Sequence, residues 1–302
     1  MVPAGLLERC TFPPAGTNVT CAVSGGADSL ALLVLAVEAG CAVTAVHVDH
    51  GLRDGSSTEA DLVAGVAERF GAGFATCRVE VAPGPNLEAR ARAARYGVLP
   101  ADVCTGHTAD DQAETVLLHL LRGAGLRGVG GMRDGAGSGV RRPLLALRRA
   151  DTRAVCDVLD LKPLDDPMNA DPRFSRVRVR HEVLPLLAEI ASRDVVPVLA
   201  RNAAVAAEAV DALDAWAATI DPTDVAALVA VPRPLARWAL RLWLADVSGA
   251  EHPVDAASIE RVLAVVDGAV RACEVVGGWR VARTAGRLRV EPPVRDPRGA
   301  TT

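Results

Sequence analysis

Apolar and polar positions in the first half of the chain follow two alternating periods. Residues 18–23 and 42–48 are near-continuous apolar runs of strand length; 74–81 is a third and 102–105 a shorter fourth. Between them, 29–39 is a helix-length segment packed with Leu, Ala and Val. The stretch 57–70 is amphipathic, with Ser57 placed to cap it; 86–99 is helical behind Asn86, and 109–121 is helical again. Strands that are apolar on both faces, alternating with helices, predict an α/β fold: a parallel sheet with helices on both faces. Ligands of such sheets bind beyond the carboxyl ends of the strands, so chemistry is expected just after positions 23, 48, 81 and 105.

The pattern changes after that. Residues 123–140 are glycine-rich and read as a loop, 143–190 return to helix, turn and helix, and 194–218 form an alanine-rich helix. From about 220 a second unit follows, with helices over 234–247 and 254–266 and strands around 279–283 and 287–290. This predicts a catalytic domain over 1–190, a helical linker over 191–220 and a small α+β domain over 221–302. The total of 302 residues suits two domains.

Half of the chain is apolar and the formal net charge is −4, so the protein as a whole is no polyanion magnet. Charge is local instead. Eight arginines lie between Arg122 and Arg153 against Asp134 and Asp151, and seven between Arg271 and Arg298 against Glu274, Glu291 and Asp296. Such stretches suit either a phosphate backbone or an ordinary solvated surface. Lys162 is the only lysine. Seven cysteines without a Cys-x-x-Cys pair argue for reduced thiols and against a disulfide frame, a zinc site or an iron–sulfur cluster. No basic segment followed by a long apolar run opens the chain, and no stretch reaches the ~20 apolar residues of a membrane span, so a cytoplasmic protein is expected.

The densest chemical signal is Ser24-Gly25-Gly26-Ala27-Asp28-Ser29, between the first strand and the first helix. Two glycines let the backbone turn its N–H groups toward phosphate oxygens, Ser24 and Ser29 add hydroxyls, and the helix N-terminus adds positive potential. An acid in such a loop repels phosphate unless a cation intervenes, which makes Asp28 a natural Mg²⁺ ligand. The loop lacks the lysine of a Walker A motif. Gly123-Ala124-Gly125-Leu126-Arg127-Gly128 matches the dinucleotide fingerprint only formally, because it follows a helix and not a strand.

Ser-Gly-Gly-x-Asp-Ser resembles the PP-loop of the N-type ATP pyrophosphatases, which cleave ATP between the α- and β-phosphates and adenylate an oxygen. Further segments resemble the tRNA(Ile)-lysidine synthetases among them. These are His47-Val48-Asp49-His50-Gly51-Leu52-Arg53; Asn86-Leu87-Glu88-Ala89-Arg90 with Ala94-Arg95-Tyr96; Thr105-Gly106-His107-Thr108-Ala109-Asp110-Asp111-Gln112-Ala113-Glu114-Thr115 running to Leu121-Arg122-Gly123; and Arg142-Pro143-Leu144-Leu145 before Asp165-Asp166-Pro167-Met168-Asn169 and 174–181. The resemblance covers roughly residues 18–190. It departs at Thr108, Val177 and Met168, where the family has His, Asn and Ser.

On a helix His107, Asp110, Asp111 and Glu114 share one face. Carboxylates near a helix start complement its dipole, which is the plain alternative, and they also suit a cationic amine. The resemblance implies ATP as substrate, bound by residues 24–29 and His47, with Mg²⁺ on Asp28. It implies lysine at Glu114 and Asp110, with Asp110 or Asp111 assisting or meeting Mg²⁺, and catalytic roles for Asp28, Arg95, His107, Asp111 and Glu114. Arg95 can neutralise the α-phosphate of an adenylate or simply neighbour Glu88 seven residues back. Arg122, Arg176, Arg178 and Arg180 are implied to contact tRNA, although one or two of the last three are as readily structural. His47 and His50 read as walls of the adenosine pocket.

The implied reaction adenylates O2 of the wobble cytidine in tRNA(Ile) with a CAU anticodon. The ε-amine of free lysine then attacks C2, giving lysidine, AMP and pyrophosphate. Relatives of this compact length imply a homodimer. The nearest rival is a tRNA thiolation enzyme with the same loop, which needs paired cysteines. An amide ligase of small molecules leaves the basic stretches unexplained, and a non-catalytic sensor of ATP and RNA predicts no pyrophosphate release.

Overall fold

The computed structural model describes residues 2–49, 56–79, 87–135, 139–164, 171–249 and 254–293. His50 to Arg53, Asn86 and Asp165 to Asn169, all named above, lie outside these, as do the side chains of Ser57 and Glu88. The chain divides into two compact units, Met1–Ala207 and Glu208–Thr302.

The first unit is built on three parallel strands, β1 (Asn18–Ala22), β2 (Ala42–Asp49) and β3 (Gly73–Arg78), in the order β1-β2-β3. Their connections are α1 (Ala27–Glu38) and α2 (Ser56–Arg69); α3 (Leu87–Val98) follows β3. Alternation along β2 puts Val43 and Ala45 into one buried cluster with α1, α2 and α6 (Arg149–Val158). Val46 goes into another, with Leu99 and Val103, against which Tyr96 of α3 packs. Both faces of the sheet are thereby covered over β1 and β2, whereas the edge strand β3 is largely exposed, Phe74 included. Helix α1 is apolar all round, and its residues from Ser29 to Ala36 are buried, as such a helix must be.

The expected fourth strand is reduced to one bridging residue. Cys104 pairs in parallel with Cys21 on one side and Arg141 on the other. Pro100 before it and Gly106 after it leave too little chain for a longer ladder, yet Cys104 still carries the sheet past β1. The glycine-rich loop contains one short helix, α5 (Leu126–Val129). Helix α4 (Ala109–Leu121) packs on the segment formed by α7 (Ser175–Arg178), a π-turn over Val179–Val183 and α8 (Leu184–Ala191), through Ala109, Ala113, Leu118, Val179 and Leu184. Helix α9 (Val196–Ala217) holds the division between the units.

The second unit packs α10 (Val225–Ala230), α11 (Arg233–Ser248) and α12 (Ala256–Val266) on an antiparallel sheet, β4 (Ala272–Val275), β5 (Trp279–Thr284) and β6 (Arg287–Glu291). Strand β4 is one more than the pattern predicts. Its four residues, Ala-Cys-Glu-Val, are too few to carry a readable alternation.

Candidate active site

Residues 24–29 form a tight turn after β1 that runs into the first turn of α1, where Asp28 and Ser29 lie. Gly25 adopts φ +83°, which an L side chain rarely tolerates, and its carbonyl accepts from the Leu164 amide at 3.0 Å. The Ser29 hydroxyl closes the loop, accepting from the Ser24 amide at 3.1 Å and donating to the Gly26 carbonyl at 2.8 Å. The second close approach is at Gly106, where a Cβ would lie 2.6 Å from the Asp28 carbonyl oxygen and 3.1 Å from the Ser29 amide nitrogen. Both partners are backbone and cannot swing aside. Gly106→Ala therefore displaces the loop, and ATP affinity is expected to fall at least about ten-fold, since a displacement near 1 Å in a positioned site costs far more than that in rate. Titration of the folded variant with ATP checks this; an unchanged affinity would mean that the loop geometry does not set binding.

His47 lies at the end of β2, 2 % exposed, its Nδ1 3.0 Å from the Val23 carbonyl. That fixes the ring beside the loop. Thr105 Oγ1 donates to the Arg141 carbonyl at 3.2 Å and lies 2.8 Å from His107 Nδ1. Burial holds the His107 pKa down to about 4; nearby Asp111 raises it, and Arg92, Arg142 and Arg176 lower it further. The ring is neutral at neutral pH.

The acidic face of α4 is real, but none of its carboxylates is open. Thr108 caps α4: its amide and hydroxyl both donate to Asp111 Oδ2 at 2.9 Å. Asp110 accepts two bonds from the Arg148 guanidinium, both at 3.0 Å, and one from the Arg149 amide at 2.8 Å. Glu114 is fully buried. Arg180 grips it at 2.7 and 3.2 Å, Arg149 approaches to 3.3 Å and Arg176 to 3.7 Å. Arg149 spans the site, with Nη2 3.0 Å from Asp111 and Nε 3.6 Å from Asp28. Thr152 donates to the other oxygen of Asp28.

Charge and burial compete at Asp28, Asp110 and Asp111. At Asp28 burial wins and raises the pKa, against the Thr152 hydrogen bond and Arg149. At Asp111 burial acts the same way, but Arg149 and the neighbouring donors outweigh it, and the carboxyl is held below its ordinary value. Asp110 is likewise held down, with the Arg148 and Arg149 bonds overcoming burial.

Of the residues expected in the site, Asp28, His107, Asp110, Asp111, Glu114, Arg176 and Arg180 come together around Arg148 and Arg149. Arg176 and Arg180 point at Glu114, so the surface offered for tRNA contact is not theirs in this arrangement. Arg178 is exposed and paired with Glu182 at 2.9 Å. Arg122 is exposed at the far end of α4, roughly 12 Å along the axis from Glu114 at 1.5 Å per residue. Arg95 is half-buried on α3, close to Tyr96 and Arg92. The residues that sequence reasoning missed are Arg148, Arg149 and Thr152. One signal pointed to the first two: they stand at the N-terminus of α6, where the helix dipole disfavours cations unless acids from elsewhere meet them.

A PP-loop domain family matches residues 7–187. The chain is 42% identical to the tRNA(Ile)-lysidine synthase of Nocardia farcinica (strain IFM 10152), covering 95% of each, and 41% identical to that of Salinispora tropica, covering 91% of each. Among solved structures, the U34-tRNA thiolase NcsA from Methanococcus maripaludis with its [4Fe-4S] cluster is similar over 64% of this chain and 72% of its own. The TM-score is 0.50 and the identity 16%, a likeness of fold alone. All seven cysteines here are free, and Cys21 and Cys104, which meet across the sheet, are core residues exposed by 0 % and 2 %.

Proposed function

Because this chain belongs to the tRNA(Ile)-lysidine synthases within the PP-loop domain family, we propose that Asp28, Asp111 and Glu114 are the acids around which an ATP-using ligase joins lysine to tRNA(Ile). ATP is a substrate, gripped through its phosphates by the amides and hydroxyls of residues 24–29, with the His47 ring as an adenosine wall. The acceptor in this reading is the wobble cytidine of the CAU anticodon. An unpaired loop base reaches such a site at little unstacking cost. Adenylation of O2 turns a poor leaving group into AMP, and attack by the lysine ε-amine at C2 completes lysidine.

Mg²⁺ fits this site as a companion of the nucleotide. Mg²⁺ is held by one or two carboxylates plus substrate phosphates, and Asp28 is the one carboxylate in the loop. Bound there, it would offset charge on the departing pyrophosphate. The chain's own groups do the rest. Lysine's amine is mostly protonated at neutral pH, its ordinary pKa being about 10.4. Glu114 and Asp111 receive the ammonium, one of their carboxylates takes its proton, and the neutral His107 ring stands beside them. Arg95 and the arginines now held by the acids are the cations available to the α-phosphate.

The observation that carries the reading is Arg149, a single guanidinium within 3.6 Å of Asp28, Asp111 and Glu114. A cation already stands where the phosphate loop faces the acids, which is where a lysine ammonium is needed. A homodimer and a cytoplasmic location complete the proposal; no helix among the described residues is long and apolar enough to cross a membrane.

The deciding assay supplies purified protein with ATP, labelled lysine and tRNA. Label is expected in tRNA(Ile) with a CAU anticodon, as lysidine by nucleoside mass spectrometry, and only with ATP. Incorporation equal to the control lacking ATP would remove the assignment.

A further inference from the structure

A second cationic feature lies beside the acid cluster and plays no part in the chemistry above. Arg92, Tyr96, Pro100, Ala101, Val140 and Arg142 line a cleft of about 290 Å³. That is the small end of the ligand-pocket range, room for about one nucleotide. The cleft borders the site, since Arg142 follows Arg141, whose carbonyl accepts from Thr105 Oγ1, itself 2.8 Å from His107 Nδ1. It shares no lining residue with the phosphate loop.

Its charge is poorly compensated. Arg142 is 7 % exposed, and among the described residues its Nη1 donates to the Arg133 and Val140 carbonyls, which are neutral. Its Nε is buried without a hydrogen-bond partner among the described residues. Asp134 is committed elsewhere, accepting from Thr11 Oγ1 at 2.7 Å, Arg141 Nε at 3.2 Å and the Arg142 amide, not its guanidinium, at 2.6 Å. Burial holds the Arg142 pKa below its ordinary value, and Arg92 adds to the effect while Tyr96 and Asp134 oppose it. A buried guanidinium with an unmatched donor calls for an anion. Arg92 is exposed and stacks on the Tyr96 ring, 5.0 Å from its centroid, so a solvent-accessible cation stands over an aromatic platform.

We propose that Arg92, Tyr96 and Arg142 form a subsite for one RNA nucleotide adjacent in the chain to the nucleotide that reacts. Its phosphodiester lies against Arg92 and Arg142, and its base or ribose packs on Tyr96. The combination of cation and aromatic ring is what single-stranded nucleic acid requires. A phosphate of ATP offers the same anion, but the loop at residues 24–29 already serves those oxygens, and a free phosphate has no use for the ring. The subsite rests on the reading of the chain as a tRNA-modifying enzyme.

The test compares full-length wild type with Arg92→Gln, Tyr96→Leu and Tyr96→Phe. Anisotropy follows a labelled anticodon stem-loop RNA across a salt series, and equilibrium dialysis follows ATP. Arg92→Gln, an exposed change that spares the fold, is expected to weaken RNA binding about ten-fold and to flatten the salt dependence by about one phosphate contact. Tyr96→Leu is expected to weaken it five-fold or more, and Tyr96→Phe, which keeps the ring, to restore it. ATP affinity stays within two-fold throughout. RNA binding by Arg92→Gln equal to wild type, with the same salt slope, overturns the subsite alone. Loss of ATP affinity with RNA binding intact also overturns it, assigning the arginines to the nucleotide triphosphate. Wild type that binds no RNA overturns both the subsite and the reading beneath it.

Discussion

Asp28→Ala is expected to reduce tRNA-dependent pyrophosphate release about a thousand-fold or more, while ATP binding weakens far less. The carboxylate sits in a loop built to hold phosphates, where a bare negative charge opposes the substrate. Burial already disfavours that charge and raises the pKa of Asp28, and the Thr152 hydrogen bond and Arg149 only partly offset this. In the proposed reading that charge would be met by a Mg²⁺ arriving with the nucleotide. Loss of the metal's charge stabilisation at a leaving pyrophosphate amounts to several kcal/mol, and about 4 kcal/mol corresponds to a thousand-fold in rate. Asp28→Asn separates this from packing, because the amide oxygen still accepts from Thr152 and the volume is kept. Both variants are expected to fail. If the asparagine variant released pyrophosphate at near the wild-type rate, the role of Asp28 would be to brace Thr152 and not to hold a metal. Release measured by coupled phosphate assay, beside ATP titration, distinguishes the outcomes.

Much of the first unit was readable because its signals are local. The phosphate loop is six consecutive residues, and its fit between β1 and α1 follows from their order in the chain. The apolar runs of β1, β2 and α1 state their burial directly. The acids of α4 were readable as one face because 3.6 residues per turn place them there. Their partners were not readable, since the pairing is between distant segments. Thr152 reaches Asp28 across 124 positions and Arg180 reaches Glu114 across 66. No periodicity encodes such a match. The basic stretch over 122–153 read equally well as a phosphate surface, and the fold spends much of it internally: Arg148 and Arg149 on acids, Arg142 on carbonyls. Thr108 shows the converse. As a departure from the family it put the loop's role in question, whereas its reciprocal bonds with Asp111 give α4 a satisfied N-terminus and hold that acid in place.

The same arginines set the terms for Glu114. With Asp28, Asp111 and Glu114 against Arg149, Arg176 and Arg180, the formal charges of this cluster cancel, and a neutral cluster gives a lysine ammonium little reason to enter. A nucleotide triphosphate brings excess negative charge to the loop side and competes for guanidiniums. Lysine is therefore expected to bind at least ten-fold more tightly with a non-hydrolysable ATP analogue present than without it, and by linkage to tighten the analogue equally. Glu114→Gln removes one negative charge from the middle of three arginines, keeping the shape. The remaining excess of positive charge is expected to raise the KM for lysine about a hundred-fold. That is the order of the 2–5 kcal/mol seen when one member of a close charge pair is removed. Adenylation of tRNA, measured without lysine, is expected to fall much less. Stability should drop as well: breaking a buried pair costs about 3–5 kcal/mol, here toward the lower figure because all three arginines retain some contact with water, being 22–31% exposed. Thermal unfolding of the glutamine variant measures that part separately. Equal losses of adenylation and lysine use in a protein that still unfolds cooperatively would make Glu114 a strut for Arg176 and Arg180. A loss confined to the lysine step would mark the carboxylate as the counter-charge of the amine.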